Sequence, residues 1–149
     1  MVSERLLMKI GEVVRARAVQ ILSREAFDNG ILANSLNVNV QLKDGSVTIG
    51  TNLSYAPFLE YGSGERGNEN FKSYFGEPKP SYTIPIVAKN AKVLHWVDKQ
   101  GKDVFVKSTK GMKPIAFMRR ALFESKQDIV KVIKQDIEMN PSEWLNDNN

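Results

Sequence analysis

The sequence predicts an α+β fold: a small, mainly antiparallel β-sheet of two hairpins packed by long N-terminal and C-terminal helices, with a long flexible loop between the hairpins. Three observations predict it. Apolar residues recur at three- and four-residue spacing at both ends of the chain, apolar and polar residues alternate strictly from Leu36 to Leu42, and a second pair of short alternating stretches flanks Lys99-Gln100-Gly101-Lys102. The first pattern is that of a helix with one apolar face, the others those of strands with one buried face. With 149 residues the chain fits a single domain, 1–149, large enough to bury a core without disulfides or metal.

Residues 3–28 read as the first helix. Leu6, Leu7, Ile10, Val14, Ala18, Ile21 and Leu22 form its apolar stripe, Ser3 can cap it, and Asn29-Gly30 reads as its stop. Its five basic and four acidic side chains interleave, which predicts a solvated face. Residues 31–35 form a short link with room for one helical turn. Leu36, Val38, Val40 and Leu42 mark a strand, Asp44-Gly45 turns the chain, and Val47 and Ile49 lie on the return strand. Gly50, Thr51 and Asn52 supply turn chemistry, and Asn52 or Ser54 can cap a helical turn. Residues 55–61 fit that short helix, with Pro57 in its first turn and Gly62 as its stop. Tyr55, Phe58 and Leu59 can share one face; taken alone, such large apolar groups are expected in the core.

From Gly62 to Thr83 no period is visible, and the Gly, Asn, Ser and Pro content predicts a flexible loop. Phe71, Tyr74 and Phe75 lie within it. They fit either a segment that orders against a partner or one that folds back on the domain's own core. Pro85 can start a short helix through Ala88. Val93–Asp98 and Val104–Lys107 read as a second hairpin, held to the sheet by cross-strand packing of Trp96 and Phe105. Pro114 restarts helix, which runs to Met139 with a stripe of Met118, Leu122, Ile129, Ile133 and Ile137, widened by Ile115 and Val130. Asn140-Pro141 ends it, and the tail 140–149 is expected to be mobile unless Trp144 docks.

Composition excludes several function classes. The chain has no cysteine, so disulfides, thiolate nucleophiles and Cys-ligated zinc are out, and its one histidine, His95, cannot build a triad or a multi-histidine metal site. His95 reads as structural. Glu60, Glu65, Glu69 and Glu77 lie in or beside the loop, a poor platform for acid–base pairs that need fixed geometry. Gly62, Gly64 and Gly67 lack the lysine and hydroxyl spacing of a phosphate-binding loop. No cofactor and no enzyme activity are expected. No apolar run nears the roughly 20 residues of a membrane helix, and the N-terminus lacks signal-peptide regions, so a soluble, unprocessed chain without membrane contact is expected. Net charge is +4, and the surplus is local: residues 65–113 carry 10 basic and 5 acidic groups. Lys89 and Lys92, with Lys99, Lys102, Lys107, Lys110 and Lys113 as the candidate DNA-facing set, cluster around the second hairpin. They predict at most weak, salt-sensitive, non-specific contact with nucleic-acid phosphates. A DNA-associated accessory protein using this lysine-rich hairpin is the alternative reading.

The string I-G-T-N-L-S-Y-A-P-F-L-E-Y-G-S-G, residues 49–64, resembles the signature of the tail-completion proteins of long-tailed bacteriophages, also described as minor tail or head–tail joining proteins. The run K-P-I-A-F-M-R-R-A-L, residues 113–122, is similar to the pattern that begins the last helix of these proteins. I-P-I-V-A-K-N-A-K-V-L-H-W and N-G-I-L-A-N-S-L resemble their proline-led segment and the link after the first helix. The chain departs from the pattern at Ala116 and Arg120, where proline is frequent, and at a shortened glycine-rich approach, T-K-G-M.

The resemblance implies a non-enzymatic virion protein, made in the bacterial host cytoplasm, that acts at the head-proximal end of the tail. It implies self-assembly as a ring pictured with six copies, and contacts with tail terminator or tail tube and head-connector proteins. The motif residues are then Tyr55, Pro57, Phe58, Glu60, Tyr61, Gly62 and Gly64, with Pro114, Phe117, Met118 and Arg119. Among them Tyr55, Phe58 and Tyr61 would position a hinge, Arg119 would pair with a neighbouring acid, and the loop aromatics Phe71, Tyr74 and Phe75 would contact other subunits or the tail.

Overall fold

The computed structural model describes residues 2–26, 30–98 and 100–145. Helix α1 (Glu4–Glu25) is its spine. The Leu6 amide donates to Ser3 Oγ at the start, and Leu6, Leu7, Val14, Ala18, Ile21 and Leu22 are buried along one side. The helix ends earlier than expected, with Ala26 already extended. Asp28 and Asn29 lie outside the described residues, and Gly30, at φ 80°, precedes the helical turn α2 (Ile31–Ser35).

Strands β1 (Asn37–Gln41) and β2 (Ser46–Gly50) pair antiparallel with Val38 opposite Ile49 and Val40 opposite Val47. Their connection is a 3-10 turn, Leu42–Asp44, closed by Gly45 at φ 60°, so Leu42 leaves the strand and is exposed. The hairpin packs on α1 around Gly11. A β-carbon there would overlap Val38 Cγ1 and lie 2.7 Å from Val47 Cγ2, so the missing side chain sets the helix-to-sheet distance.

The fold class is the expected α+β, but among the described residues the strands form three separate two-stranded antiparallel ladders and not one sheet. Strand β3 (Ile86–Val87) follows a cis Ile84–Pro85 bond and pairs with β6 (Ser108–Thr109), where the sequence suggested a proline-led helix. Strand β4 (Leu94–Val97) pairs with β5 (Asp103–Val106). Its register places Trp96 opposite Val104 and His95 opposite Phe105, so Trp96 and Phe105 lie on opposite faces and do not pack together. His95 instead stacks on Phe105, ring centroids 4.5 Å apart, and its Nε2 lies 2.7 Å from Asp103 Oδ1.

The last helix starts at Phe117, not Pro114, because Ala116 has φ 55°, in the left-handed region. Proline cannot adopt that angle. Helix α5 (Phe117–Glu124) passes through Ser125 into α6 (Lys126–Met139). The buried positions are Phe117, Arg119, Ala121, Ser125 and Asp136, while Leu122, Val130 and Ile137 are exposed, so the inward stripe is rotated from the one expected. Among the described residues, three ion pairs tie α1 to these helices: Arg120 to Glu25 at 2.8 Å, Arg17 to Asp128 at 3.2 Å and Arg5 to Asp136 at 2.9 Å. Helix α7 (Pro141–Leu145) folds back so that Trp144 Nε1 donates to Asp136 Oδ2 at 3.3 Å. Residues 146–149 of the expected tail lie outside the described residues.

Gly11→Ala should lower stability despite the roughly 1 kcal/mol gained in helix propensity. Two stiff β-branched neighbours must both yield, and overpacking of this kind costs about 1–3 kcal/mol; a urea midpoint below wild type is expected. Ser125 Oγ is fully buried without a hydrogen-bond partner among the described residues. Ser125→Ala should therefore raise stability by about 1 kcal/mol in the same titration.

Candidate assembly interface

Helix α3 (Ala56–Tyr61) carries the signature stretch, with Pro57 in its first turn and Gly62 at its end. No side chain caps its start, so neither Asn52 nor Ser54 takes the capping role. The segment expected to lack regular structure holds α4 (Gly64–Asn70). Gly62 (φ 74°) and Gly64 (φ 60°) serve two needs. Both have left-handed backbone, and a β-carbon at Gly62 would stand 2.7 Å from Met112 O while one at Gly64 would stand 2.9 Å from Lys110 O. The close approach lets the Ser63 amide donate to Met112 O (2.9 Å), Met112 N to Ser63 O (3.2 Å) and Arg66 N to Lys110 O (2.9 Å). The end of the first motif is thus stitched backbone to backbone to the residues just before the second, about a third of the chain away, and the Ile115 and Ala116 amides of the second donate to Leu59 O of the first.

Their side chains meet at Arg119. Its guanidinium, 9% exposed, donates from Nε to Glu60 Oε1 (2.7 Å), from Nη1 to Glu77 Oε1 (2.7 Å) and Lys72 O (2.9 Å), and from Nη2 to Glu60 O (2.9 Å). The Glu60 carboxylate also accepts the Met118 and Arg119 amides at 2.8 and 3.1 Å. It therefore caps α5 from another helix, placing an anion where the helix start presents free donors. Glu77 in turn accepts the Tyr74 and Phe75 amides and the Ser73 hydroxyl, closing the turn 73–77. Three rings surround the cation: Tyr61 at 4.6 Å, Phe71 at 5.0 Å and Tyr74 at 5.8 Å from ring centroid to Cζ. Tyr74 and Phe75 also meet Phe123 edge-on.

Arg119 hydrogen bonding and backbone amides hold the Glu77 carboxyl far below the usual glutamate range, against the opposing effect of burial. Burial opposes the Arg119 charge, but Glu77 and Glu60 more than compensate and raise its pKa. Burial likewise raises Tyr74 and Tyr82, and Tyr82 donates its hydroxyl to Tyr61 O.

Phe71 and Tyr74 thus fold back onto the chain's own node, and Phe75 is half exposed beside them. The part of α3 that faces solvent is Pro57 and Phe58, the latter 54% exposed, with Tyr61 next to them. Phe58 stands as a ridge between two grooves. One, of about 870 Å³, has Tyr55, Leu59, Met112, Pro114 and Ile115 in its wall. The other, of about 540 Å³, is walled by Pro57, Tyr61, Pro80, Tyr82 and Ile86. Phe117 lies in the core, and Met118 packs against it. Lys102, Lys107, Lys110 and Lys113 are exposed along the second hairpin and the strand after it, and Lys110 lies 3.8 Å from Glu65. Lys99 lies outside the described residues.

Sequence reasoning missed Glu77 as a node residue, reading it only as a loop acid. The signal was there in S-Y-F-G-E, where a carboxylate follows a serine and a glycine that can close a turn. Among the described residues no cluster of three or more His, Cys, Asp or Glu is placed to hold a metal, and no helix is long and apolar enough to cross a membrane.

Arg119→Met would strand the buried Glu60 carboxylate. A loss of about 3–5 kcal/mol is expected by urea denaturation, with Arg119→Lys recovering only part because it cannot reproduce the forked contacts. The depressed Glu77 carboxyl adds a pH dependence. Its contribution is present above the ordinary glutamate value of 4.5 and is lost as pH falls below it toward the folded-state value. Glu77→Gln should flatten the acid limb of a stability–pH profile while leaving the neutral-pH shape unchanged.

Residues 1–62, from the start of α1 through the Gly62 stop of α3, match the HK97-gp10-like family, described as "Bacteriophage HK97-gp10, putative tail-component". No curated protein and no solved structure matches the chain. The resemblance read from the I-G-T-N to Y-G-S-G motif thus has an independent match, and the first 62 residues carry the pattern of a bacteriophage tail-component family.

Proposed function

We propose that this chain is a structural, non-enzymatic virion protein that completes the head-proximal end of a phage tail and joins it to the head, assembling there as a ring pictured with six copies. The observation that carries the reading is where the family-matched span puts its aromatics. Residues 1–62 end in a helix whose Glu60 side is locked into the fold through Arg119, while its Phe58 side projects as a ridge between two grooves. A large apolar group held rigidly in solvent beside concave surface is the form of an association surface.

A closed ring of identical copies requires unlike patches on each copy to meet head to tail, and a projecting ridge with grooves supplies one half of such a pair. The tail terminator or tail tube on one side and a head-connector protein on the other are the proposed neighbours.

Electron microscopy of lysates from the parent phage with this reading frame interrupted tests the proposal. Filled heads separated from tails are expected. Normal infectious particles would overturn it.

A further inference from the structure

The β4–β5 hairpin has one half-buried face and one open face. Leu94, Val104 and Val106 are half-buried on the first, beside Trp96, whereas His95, Val97, Asp103 and Phe105 are exposed on the second. Two stacked rings dominate the open face. His95 covers one side of the Phe105 ring, with an angle of 16° between the planes, and with Phe105 62% exposed the other side of the ring is open to water. A stack already formed, with one side free, accepts a further planar group at little entropic cost.

Charge around these rings is one-sided. Residues 86–113 carry seven lysines and two aspartates, net +5, whereas the rest of the chain nets −1. Both aspartates are engaged locally: the Asp98 carboxylate accepts the Gln100 and Lys102 amides in the turn, and Asp103 Oδ1 is bonded to His95 Nε2. Lys110 lies 3.8 Å from Glu65, but Lys89, Lys92, Lys102, Lys107 and Lys113 are exposed with no acid partner among the described residues.

Strand pairing gathers three of these lysines. Ser108 pairs with Val87 and Val106 pairs with Leu94, so Lys107 stands where the chain passes from one ladder to the other. Lys89 is two residues past Val87 and Lys92 two before Leu94, each about 7 Å of extended chain from that junction. Phe105 is two residues before Lys107.

We propose that this open face binds single-stranded nucleic acid, with a base stacked on the free side of Phe105 and the neighbouring phosphates against Lys89, Lys92 and Lys107. The lysines supply attraction without regard to sequence. The ring requires an unpaired base, because a duplex offers only base edges in its grooves. An anionic lipid surface would also attract the lysines, but the tip of the hairpin, residues 98–102, is polar throughout and has no apolar group to insert, while the rings lie in mid-strand. Asp103 is the opposing charge on the face.

Fluorescence anisotropy with the full chain and a labelled oligodeoxythymidylate of about 12 nucleotides, a length one small domain can cover, tests the proposal. Binding at about 20 mM salt should weaken with rising salt at a log–log slope near −2, about 0.7 for each of the three lysines. Lys107→Gln should reduce that slope by about 0.7, whereas Lys134→Gln, which removes the same charge from the exposed surface of α6, should leave it unchanged. Phe105→Leu keeps apolar bulk on the strand without a flat ring. It should weaken binding by about fivefold or more at unchanged slope, and Phe105→Tyr should restore it. Asp103→Asn should tighten binding. A duplex of the same length should respond to Lys107→Gln but not to Phe105→Leu. An oligouridylate should bind within about threefold of the oligodeoxythymidylate, because neither a ring face nor an ammonium group distinguishes the 2′-hydroxyl.

No binding by the wild-type chain at that salt would overturn the proposal. So would a Phe105→Leu loss that is absent, or equal for strand and duplex, and so would a Lys107→Gln effect no larger than that of Lys134→Gln. Wild-type binding to vesicles of anionic phospholipid that Phe105→Leu abolishes, with oligonucleotide binding unchanged, would overturn it and assign the face to a lipid surface. None of these results touches the tail-joint reading, which the interrupted phage decides.

Discussion

A single buried guanidinium organises this protein. Arg119 cannot be desolvated alone, because an unpaired charge at that depth is far too costly to keep. Its partners must therefore be brought to it, and they come from α3, from the turn 73–77 and from the carbonyl groups of Glu60 and Lys72. Two carboxylates face one cation, and the excess negative charge is met by the start of α5, whose amides also point at Glu60. Helix starts carry roughly half a positive charge. The node thus balances only if α3, α5 and the 71–77 segment are all in place, and it couples their positions.

That coupling decides which side of α3 faces out. Glu60 is taken up by the cation and Ala56 by the core, Tyr61 lays one side of its ring on Arg119, Leu59 packs against the core, and Pro57 lies exposed in the first turn. Six helical residues have room for little else, so Phe58 is left on the surface. Its exposure follows from what the other residues of the helix must do. The same constraint turns Phe71 and Tyr74 from free loop aromatics into walls of the cation site.

The regular parts of this fold were legible because each is set by local pattern. The stripe of α1 and the alternation of β1 with β2 needed no information beyond spacing, and Gly62 as a stop followed from turn chemistry. What was not legible depends on pairing at long range. A one-residue parity in the β4–β5 register separates Trp96 from Phe105, and composition carries no trace of it. Residues 86 and 87 became a strand because 108 and 109 are there to pair with. The start of α5 moved three residues because Ala116 adopts φ 55°, a choice made by tertiary contacts against local preference. The node itself was half visible: Glu60 and Arg119 stood out through the two motifs, while Glu77 lay in a stretch whose polar composition masked it.

The distribution of order bears on how copies could associate. A loop that folds only on contact gives up much of its binding free energy to lost backbone freedom, about 1–2 kcal/mol for each residue fixed. Segment 71–77 is already tied to Arg119, so it would enter an interface with its shape set. The β4–β5 hairpin lies between these cases, with its backbone ladder formed while Trp96, Val97 and Phe105 remain exposed. Such an element keeps its register while remaining among the least anchored parts of the fold, since few contacts outside its own strands hold it. A preformed ladder on a weak anchorage can adjust its angle to a neighbouring surface without refolding, because its register is held by its own hydrogen bonds and not by the contacts that fix its direction.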